Sequence, residues 1–190
     1  MAITQEVQTI TNGVNVTDLV TTISAIKASP AIAKFKFRID NQWQTGAQNQ
    51  SAVGAFYGAG QQLPRPEPFV LGADEHPILL GKDVAPNPVE YLLHALAACV
   101  TTSMVYHAAA RGIQIDEIES SLEGDIDLHG FLGLDKSVRQ GYQGIRMNFK
   151  VKADVPDERL QEIVDLGTGH SPVFDTLIHG VPITVRSERR

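Results

Sequence analysis

The sequence predicts an α+β fold in which most strands are antiparallel. Three observations support this class: a long apolar helix that begins near Asn87, two alternating runs at 113–128 and 143–155, and strands that come in consecutive groups. Strands that alternated with helices would instead indicate a doubly wound parallel sheet. We therefore expect the order helix, three strands, long helix, two long strands, helix and strand.

The N-terminal part is predicted to contain one helix and one strand. Apolar residues recur at helical spacing over 17–28, where Thr17 could cap the helix and Ser29-Pro30 would stop it. Residues 33–39 (AKFKFRI) alternate apolar and charged side chains. Because side chains of a strand point alternately to its two faces, this run predicts a strand with one buried face.

The next segments are predicted from their turn residues. We expect a turn at Asn41-Gln42, a second strand over 43–53, a loop over the Gly- and Pro-rich residues 54–68, and a short strand over 69–71.

The strongest predicted element is the long helix over about 88–111. Asn87 can cap it, Pro88 suits its first position, Glu90 completes a capping box, and Gly112 is the residue type that usually ends a helix. The helix is apolar or small on nearly every side, so we expect it to be largely buried.

The C-terminal part is predicted to alternate between strands and helices. After the strands at 113–128 and 143–155, a helix should open at 156–158 and end or break at the glycines 167 and 169. A short helical turn to Ile178 and a last strand from Val181 to Arg186 complete the prediction.

Composition excludes several classes of protein. The chain has 190 residues, with 43% hydrophobic and 20% charged residues, which is typical of a globular protein and not of a disordered one. The net charge is −6, whereas proteins that bind nucleic acid usually carry an excess of basic residues, so we expect no nucleic-acid partner. We expect one domain over 31–190, preceded by an arm and helix over 1–30.

The expected compartment is the cytoplasm. The first ten residues have neither a basic segment nor an apolar core of a secretory signal, and no uninterrupted run reaches the ~18 apolar residues that span a bilayer, so we expect no membrane partner. The single cysteine, Cys99, cannot form an internal disulfide or a multi-cysteine metal site, and this suits a reducing compartment.

Cys99 is the first candidate for chemistry. It lies in the middle of the long helix, where it is either a small buried side chain that packs as a hydrophobe or a reactive thiol. Residues on its own helical face are uncharged, so none of them would favour the thiolate. The six histidines are scattered and no two have the spacing of a zinc-binding helix, so they are interpreted as structural and we expect no metal. Hydrolase, nucleotide and dinucleotide motifs are missing, and we expect no cofactor.

A long stretch resembles the OsmC/Ohr family, the osmotically inducible and organic hydroperoxide resistance proteins. The resemblance is carried by Phe69–Ile113, and above all by the block from Asn87 to Cys99 followed by Arg111-Gly112-Ile113. It continues through Gly124–Asp127, Ser171-Pro172-Val173 and Val181-Pro182-Ile183, and covers roughly residues 31–190.

The resemblance implies an intertwined homodimer in which antiparallel sheets are wrapped around long central helices. In catalytic members of the family a cysteine thiolate attacks the O–O bond of an organic hydroperoxide, a second cysteine resolves the sulfenic acid, and an arginine and a glutamate assist. Cys99 matches the peroxidatic cysteine. Ser171 stands at the position of the resolving cysteine.

The assisting residues match less well. Val89 stands where the glutamate is expected, and Glu90 follows one place later. The loop after the first strand contains no arginine, which leaves Arg38 as a weak substitute.

Two hypotheses remain open at this point. The first is a thiol-dependent peroxidase or redox protein that uses Cys99 alone and an external thiol reductant. The second is a non-catalytic dimer that binds a small apolar ligand in the equivalent cleft. In both cases the partners are a second copy of the chain and a small molecule, not nucleic acid or membrane.

Overall fold

The computed structural model describes residues 8–189. They divide into two compact units: the first holds residues 8–9 and 15–92, and the second holds residues 10–14 and 93–189. The predicted α+β class with antiparallel sheets is confirmed.

Five α-helices occur in the described residues. They are α1 (Val16–Ala28), α2 (Pro88–Ala110), α3 (Leu128–Phe131), α4 (Asp157–Gly169) and α5 (Pro172–His179). Two short 3-10 helices lie at Pro30–Ala33 and Pro77–Leu79.

Nine strands form four small sheets in the same residues. They are β1 (Ile10–Thr11), β2 (Val14–Asn15), β3 (Asp40–Thr45), β4 (Gln48–Val53), β5 (Phe56–Gly58), β6 (Gln61–Leu63), β7 (Phe69–Ala73), β8 (Ile115–Asp125) and β9 (Gly144–Ala153). The sheet orders are β1-β2, β3-β4-β7, β5-β6 and β8-β9.

The main sheet of the first unit is a hairpin with a third strand added. β3 and β4 pair antiparallel from Asp40↔Ala52 to Thr45↔Gln48, and β7 pairs antiparallel with the other edge of β4. The turn between β3 and β4 lies at Gly46, whose φ of +54° favours a glycine.

Several predictions for this unit were wrong. The helix cap is Asn15, which accepts from the backbone of Asp18, and not Thr17. The turn expected at Asn41-Gln42 lies inside β3, so the single strand expected over 43–53 is two strands. The loop expected over 54–68 contains the small hairpin of β5 and β6.

The strand predicted over 33–39 is also absent from the described chain. Only Lys36 pairs, through a two-way backbone bridge with Tyr57 at 2.8 and 3.1 Å. Phe35 and Phe37 do share one face, as the alternation predicts, with ring centroids 6.0 Å apart, but both are at least half exposed. The pattern identified the apolar face correctly, yet a strand also needs a neighbour along its length.

The core of the second unit is built around α2. Leu96, Val100, Met104 and Ala108 recur every four residues, form one stripe and are at most 3% exposed. The stripe packs against apolar side chains of β8, β9, α4 and α5. The prediction of a largely buried helix was therefore wrong for the single chain, in which the buried residues of α2 are this stripe and Ala109.

The boundaries of α2 agree with the predicted signals. The backbone N–H of Glu90 donates to the Asn87 side chain at 2.8 Å, and the N–H of Asn87 donates to the Glu90 carboxylate at 2.9 Å. Gly112 follows the helix with a φ of +67°. By length and composition α2 could cross a membrane, but the central helix of a folded core passes the same test.

The hairpin of β8 and β9 forms the second wall of this core. The strands pair antiparallel from Ile115↔Ala153 to Asp125↔Gly144. Both alternating runs predicted as strands are thus strands, although β8 ends three residues earlier than expected and α3 follows.

Residues 10–14 join the second unit through one side chain. Asn12 donates to the carbonyl of Ile113 at 2.9 Å and accepts from the N–H of Ile115 at 2.8 Å. It thereby pairs with the backbone at the start of β8.

α4 ends at Gly169, one of the two glycines expected to end or break it, and continues through the other, Gly167. One C-terminal prediction was wrong. Residues 181–186 form no strand; Val181, Ile183 and Val185 alternate as predicted, but they are 57%, 83% and 84% exposed and have no strand beside them in the described chain. The short helical turn expected after Pro172 is α5.

Candidate functional site: a cleft beside Cys99

The second unit contains a cleft of about 530 Å³ between α2 and the junction of α4 with α5. Its lining combines a thiol, two imidazoles, hydroxyl groups and small apolar groups. The lining residues are Ala95, Ala98, Cys99, Thr102, Ser103, Tyr106, His107, His170 and Pro172.

The periodicity of α2 places the thiol in this wall. Ala95, Cys99, Ser103 and His107 recur every four residues, and each directly precedes a residue of the buried stripe. Residues four apart lie on the same helical face. The buried stripe therefore fixes the rotation of the helix, and this rotation turns Cys99 toward the cleft.

Cys99 is a free, half-buried thiol. The expectation of a fully buried cysteine that packs only as a hydrophobe does not fit this position. A small molecule that enters the cleft meets the sulfur directly.

Ser171 lies at the edge of the same region. It is 1% exposed, and its hydroxyl oxygen accepts from the N–H of Phe174 at 3.2 Å, which caps α5. Both of its chain neighbours, His170 and Pro172, line the cleft together with Cys99. That Ser171 and Cys99 face each other at the distance of a potential disulfide stays a prediction.

Two histidines meet at one end of the cleft. The ring centroids of His107 and His170 lie 4.3 Å apart, with 49° between the ring planes. His170 Nδ1 lies 3.0 Å from the carbonyl oxygen of Leu166. His107 Nδ1 lies 3.4 Å from Nη1 of Arg111, which also donates to the His107 carbonyl at 3.0 Å.

The surroundings of His107 favour its neutral form. Burial lowers the pKa of His107, and the neighbouring His170 and Arg111 lower it further by charge repulsion. Arg111 is itself paired with Glu162, with 3.6 Å between Nε and the carboxylate.

Glu90 and Arg38 do not line this cleft. The Glu90 carboxylate is held by the cap of α2, as the capping box predicts. Arg38 is exposed, in the segment before β3. A catalytic role for either residue stays a prediction.

The histidine pair was missed by the sequence analysis. A signal existed for His107, which continues the four-residue spacing from Cys99 through Ser103. His170 directly precedes the Ser-Pro-Val motif, but 62 residues separate it from His107 in the chain, so no local pattern relates the two. Within residues 8–189 no three His, Cys, Asp or Glu side chains are placed to hold a metal ion.

Together, the α+β fold and the thiol in the wall of an apolar cleft define a small protein with a candidate redox or ligand-binding site. The chain belongs to the OsmC-like protein family, whose model matches residues 81–186. This range contains Cys99, the histidine pair and Ser171. A comparison with curated proteins gave no match.

Solved structures of OsmC-like proteins share the fold. An OsmC-like protein from Mycoplasma pneumoniae matches with a TM-score of 0.59 and 17% identity, over 75% of this chain and 87% of that one. An OsmC-like protein of unknown function from Vibrio cholerae matches with a TM-score of 0.53 and 11% identity, over 74% and 92%. The organic hydroperoxide resistance protein OsmC from Legionella pneumophila matches with a TM-score of 0.51 and 12% identity, over 76% and 90%.

Proposed function

We propose that this protein is an OsmC-like thiol-dependent peroxidase that reduces organic hydroperoxides through Cys99 alone. The observation that carries the proposal is the position of Cys99, a half-buried free thiol in the wall of a 530 Å³ cleft. The matched family and the name of the Legionella protein support the substrate class.

The proposed cycle needs a thiol from outside the chain. The Cys99 thiolate attacks the O–O bond, which gives an alcohol and a sulfenic acid on the sulfur. Ser171 offers a hydroxyl where a second thiol would otherwise resolve that acid, and the chain has no other cysteine. An external thiol therefore reduces the sulfenic acid, and its entry into the cleft limits the rate.

The proposed assembly is a homodimer in the cytoplasm. Phe35, Phe37, Ile183 and Val185 lie on alternating apolar segments that are half or more exposed in the single chain. Exposed apolar surface on each of these segments supports an interaction site, and a second copy would supply both cover and backbone partners.

A peroxidase assay tests the proposal. Consumption of cumene hydroperoxide is followed with dithiothreitol or dihydrolipoamide as reductant, for the wild type and Cys99→Ser. We expect slow turnover in the wild type, below that of two-cysteine relatives, and none in the variant. Activity that survives Cys99→Ser would exclude the thiol mechanism.

A second candidate function is binding of a small apolar ligand without chemistry. It is favoured by the apolar part of the wall, which includes Ala95, Ala98 and the Pro172 ring. This function predicts that an apolar fluorescent probe binds equally well to wild type and Cys99→Ser, while the wild-type thiol stays unreacted in the presence of peroxide.

A further inference from the structure

The histidine pair adds acid–base groups to a cleft that the sequence analysis described as a thiol site only. His107 and His170 line the same cavity as Cys99 and stand 4.3 Å from each other, although they belong to different helical segments. His170 is exposed to solvent.

Resting on the proposed function, we propose that His170 is the acid–base group of the Cys99 reaction and that His107 is its positioning residue. His170 takes the thiol proton and returns it to the alkoxide that leaves when the peroxide bond breaks. Glu90 is held at the helix cap and Arg38 is exposed, and neither lines the cleft. The histidine pair therefore supplies the proton transfer in this proposal.

Hydrogen bonding sets the tautomer of His170. A carbonyl oxygen only accepts, so the contact from Nδ1 to Leu166, 3.0 Å long, places a proton on Nδ1. The second nitrogen, Nε2, then carries a free lone pair. In its neutral form His170 is therefore able to act as a base through Nε2.

A proton on His107 is unfavourable. A guanidinium only donates, so Arg111 makes His107 Nδ1 an acceptor, and a second charge beside Arg111 is unfavourable. The lowered pKa of His107 has the same cause together with burial. The charged and titratable groups around the pair are Cys99 and Tyr106 in the wall, and Arg111 with its partner Glu162 behind His107.

The size of the cleft allows the transfer. About 530 Å³ accommodates a small organic hydroperoxide with several waters, at ~30 Å³ for each water. General acid–base catalysis works through a direct hydrogen bond or one intervening water. Cys99 and His170 both line this space, so a bound hydroperoxide can contact the sulfur and reach the imidazole directly or through one water.

The proposed step balances. The S–H proton goes to His170 Nε2, and the sulfur electron pair forms a bond to the terminal oxygen of the hydroperoxide. The O–O bond breaks, its electron pair leaves on the alkoxide oxygen, and His170 returns the proton to that oxygen. Sulfur is oxidised to the sulfenic acid, the hydroperoxide is reduced to the alcohol, and His170 ends as it began.

Two reactions of Cys99 separate this role from a structural one. Cumene hydroperoxide leaves an alkoxide that needs a proton, whereas iodoacetamide leaves iodide, which needs none. Loss of the thiol is measured in single-turnover experiments from pH 5 to 9 with both reagents. The proteins are wild type, His170→Gln, His107→Gln and the control His94→Gln, whose histidine is exposed on α2 outside the cleft.

We expect His170→Gln to slow the peroxide reaction about 100-fold, the lower range for loss of a general acid–base group. The iodoacetamide reaction should slow less, because alkylation loses only the removal of the thiol proton. Added imidazole should restore part of the peroxide rate. His107→Gln removes the ring that packs on His170. It should slow the peroxide reaction less than His170→Gln does and leave the iodoacetamide reaction unchanged. His94→Gln should match the wild type.

Equal slowing of both reactions in His170→Gln would show that His170 gives no proton to the leaving alkoxide, and it would overturn the acid–base role. A peroxide reaction of His170→Gln as fast as that of the wild type would also overturn the acid–base role. Both results leave the thiol peroxidase standing, whereas a wild-type thiol that does not react with peroxide would overturn the proposed function itself.

Discussion

At the residue scale, Ser171 is the position at which a second thiol would test the proposed single-cysteine cycle. Its buried hydroxyl caps α5, and its neighbours on both sides line the cleft that contains Cys99. A thiol at this position would convert the proposed single-cysteine cycle into an internal disulfide cycle, provided that the two side chains face each other.

We predict that Ser171→Cys forms an internal disulfide with Cys99 after one equivalent of cumene hydroperoxide. Disulfide geometry requires Cα atoms about 4.4–6.8 Å apart. Mass spectrometry should show a loss of two hydrogens and a cross-linked peptide pair. Ser171→Ala is the matched control, and loss of the cap should cost it about 0.5–2 kcal/mol. If both thiols stay titratable, or pair only between chains, the match of Ser171 to the resolving position is wrong.

Asp74 is the residue at which we expect the clearest acid sensitivity. Burial raises the pKa of this carboxyl, but hydrogen bonds from the backbone of Glu75, Val84 and Lys82 and from the Gln48 side chain outweigh burial and leave it lowered. A lowered folded-state pKa gives stability that is present above the unfolded value of ~3.9 and is lost as pH falls through the folded value.

We predict that Asp74→Asn lowers the urea midpoint at pH 7 and weakens its dependence on pH between about 5 and 3. The amide cannot carry the charge that the surrounding N–H groups stabilise. The control is Asp116→Asn, an exposed carboxylate on β8. An unchanged pH dependence in Asp74→Asn, equal to that of the control, would contradict this account.

At the element scale, α2 and α4 approach closely at one glycine. A Cβ built on Gly167 would collide with the Met104 side chain and lie 3.2 Å from the carbonyl oxygen of Val100. Gly169, two residues later in the same helix, has no atom within 4 Å of its Cβ position. The close approach explains why a glycine that normally breaks helices lies inside α4.

We predict that Gly167→Ala destabilises the fold by about 1–3 kcal/mol, the usual cost of overpacking a core. Gly169→Ala should be neutral or stabilise by a few tenths up to about 1 kcal/mol, because alanine favours helix. Urea unfolding of both variants gives the comparison. Equal stabilities would show that α2 and α4 are less tightly packed than described.

Elements with local signals could be predicted from the sequence. The capping box and Gly112 fixed the ends of α2, and alternation fixed β8 and β9, which pair with each other across one connection. The runs at 33–39 and 181–186 alternate just as clearly, but pairing depends on a neighbour that local sequence does not reveal. Local sequence was limited in the same way at the site. Cys99 could be identified from its position in the predicted helix, whereas the contact between His107 and His170 joins distant segments and could not be predicted.

At the scale of the whole molecule, the exposed alternating runs point to a second copy of the chain. We predict a homodimer of twice 20.6 kDa in sedimentation equilibrium at micromolar concentration, with slowed amide exchange over 34–39 and 181–186. Obligate interfaces are more apolar than ordinary protein surface, and the two runs carry exposed apolar side chains of this kind. A stable monomer at that concentration would contradict the proposed assembly.

The central claim is that the thiol of Cys99 reacts with an organic hydroperoxide, and a stoichiometric thiol titration tests it most directly. The folded protein is mixed with one equivalent of cumene hydroperoxide, free thiol is counted over time, and a sulfenic acid probe is located by mass spectrometry. The proposed function predicts rapid loss of the single thiol and a probe adduct at Cys99, with neither in Cys99→Ser. A thiol that remains titratable in folded protein, with no adduct, would contradict it.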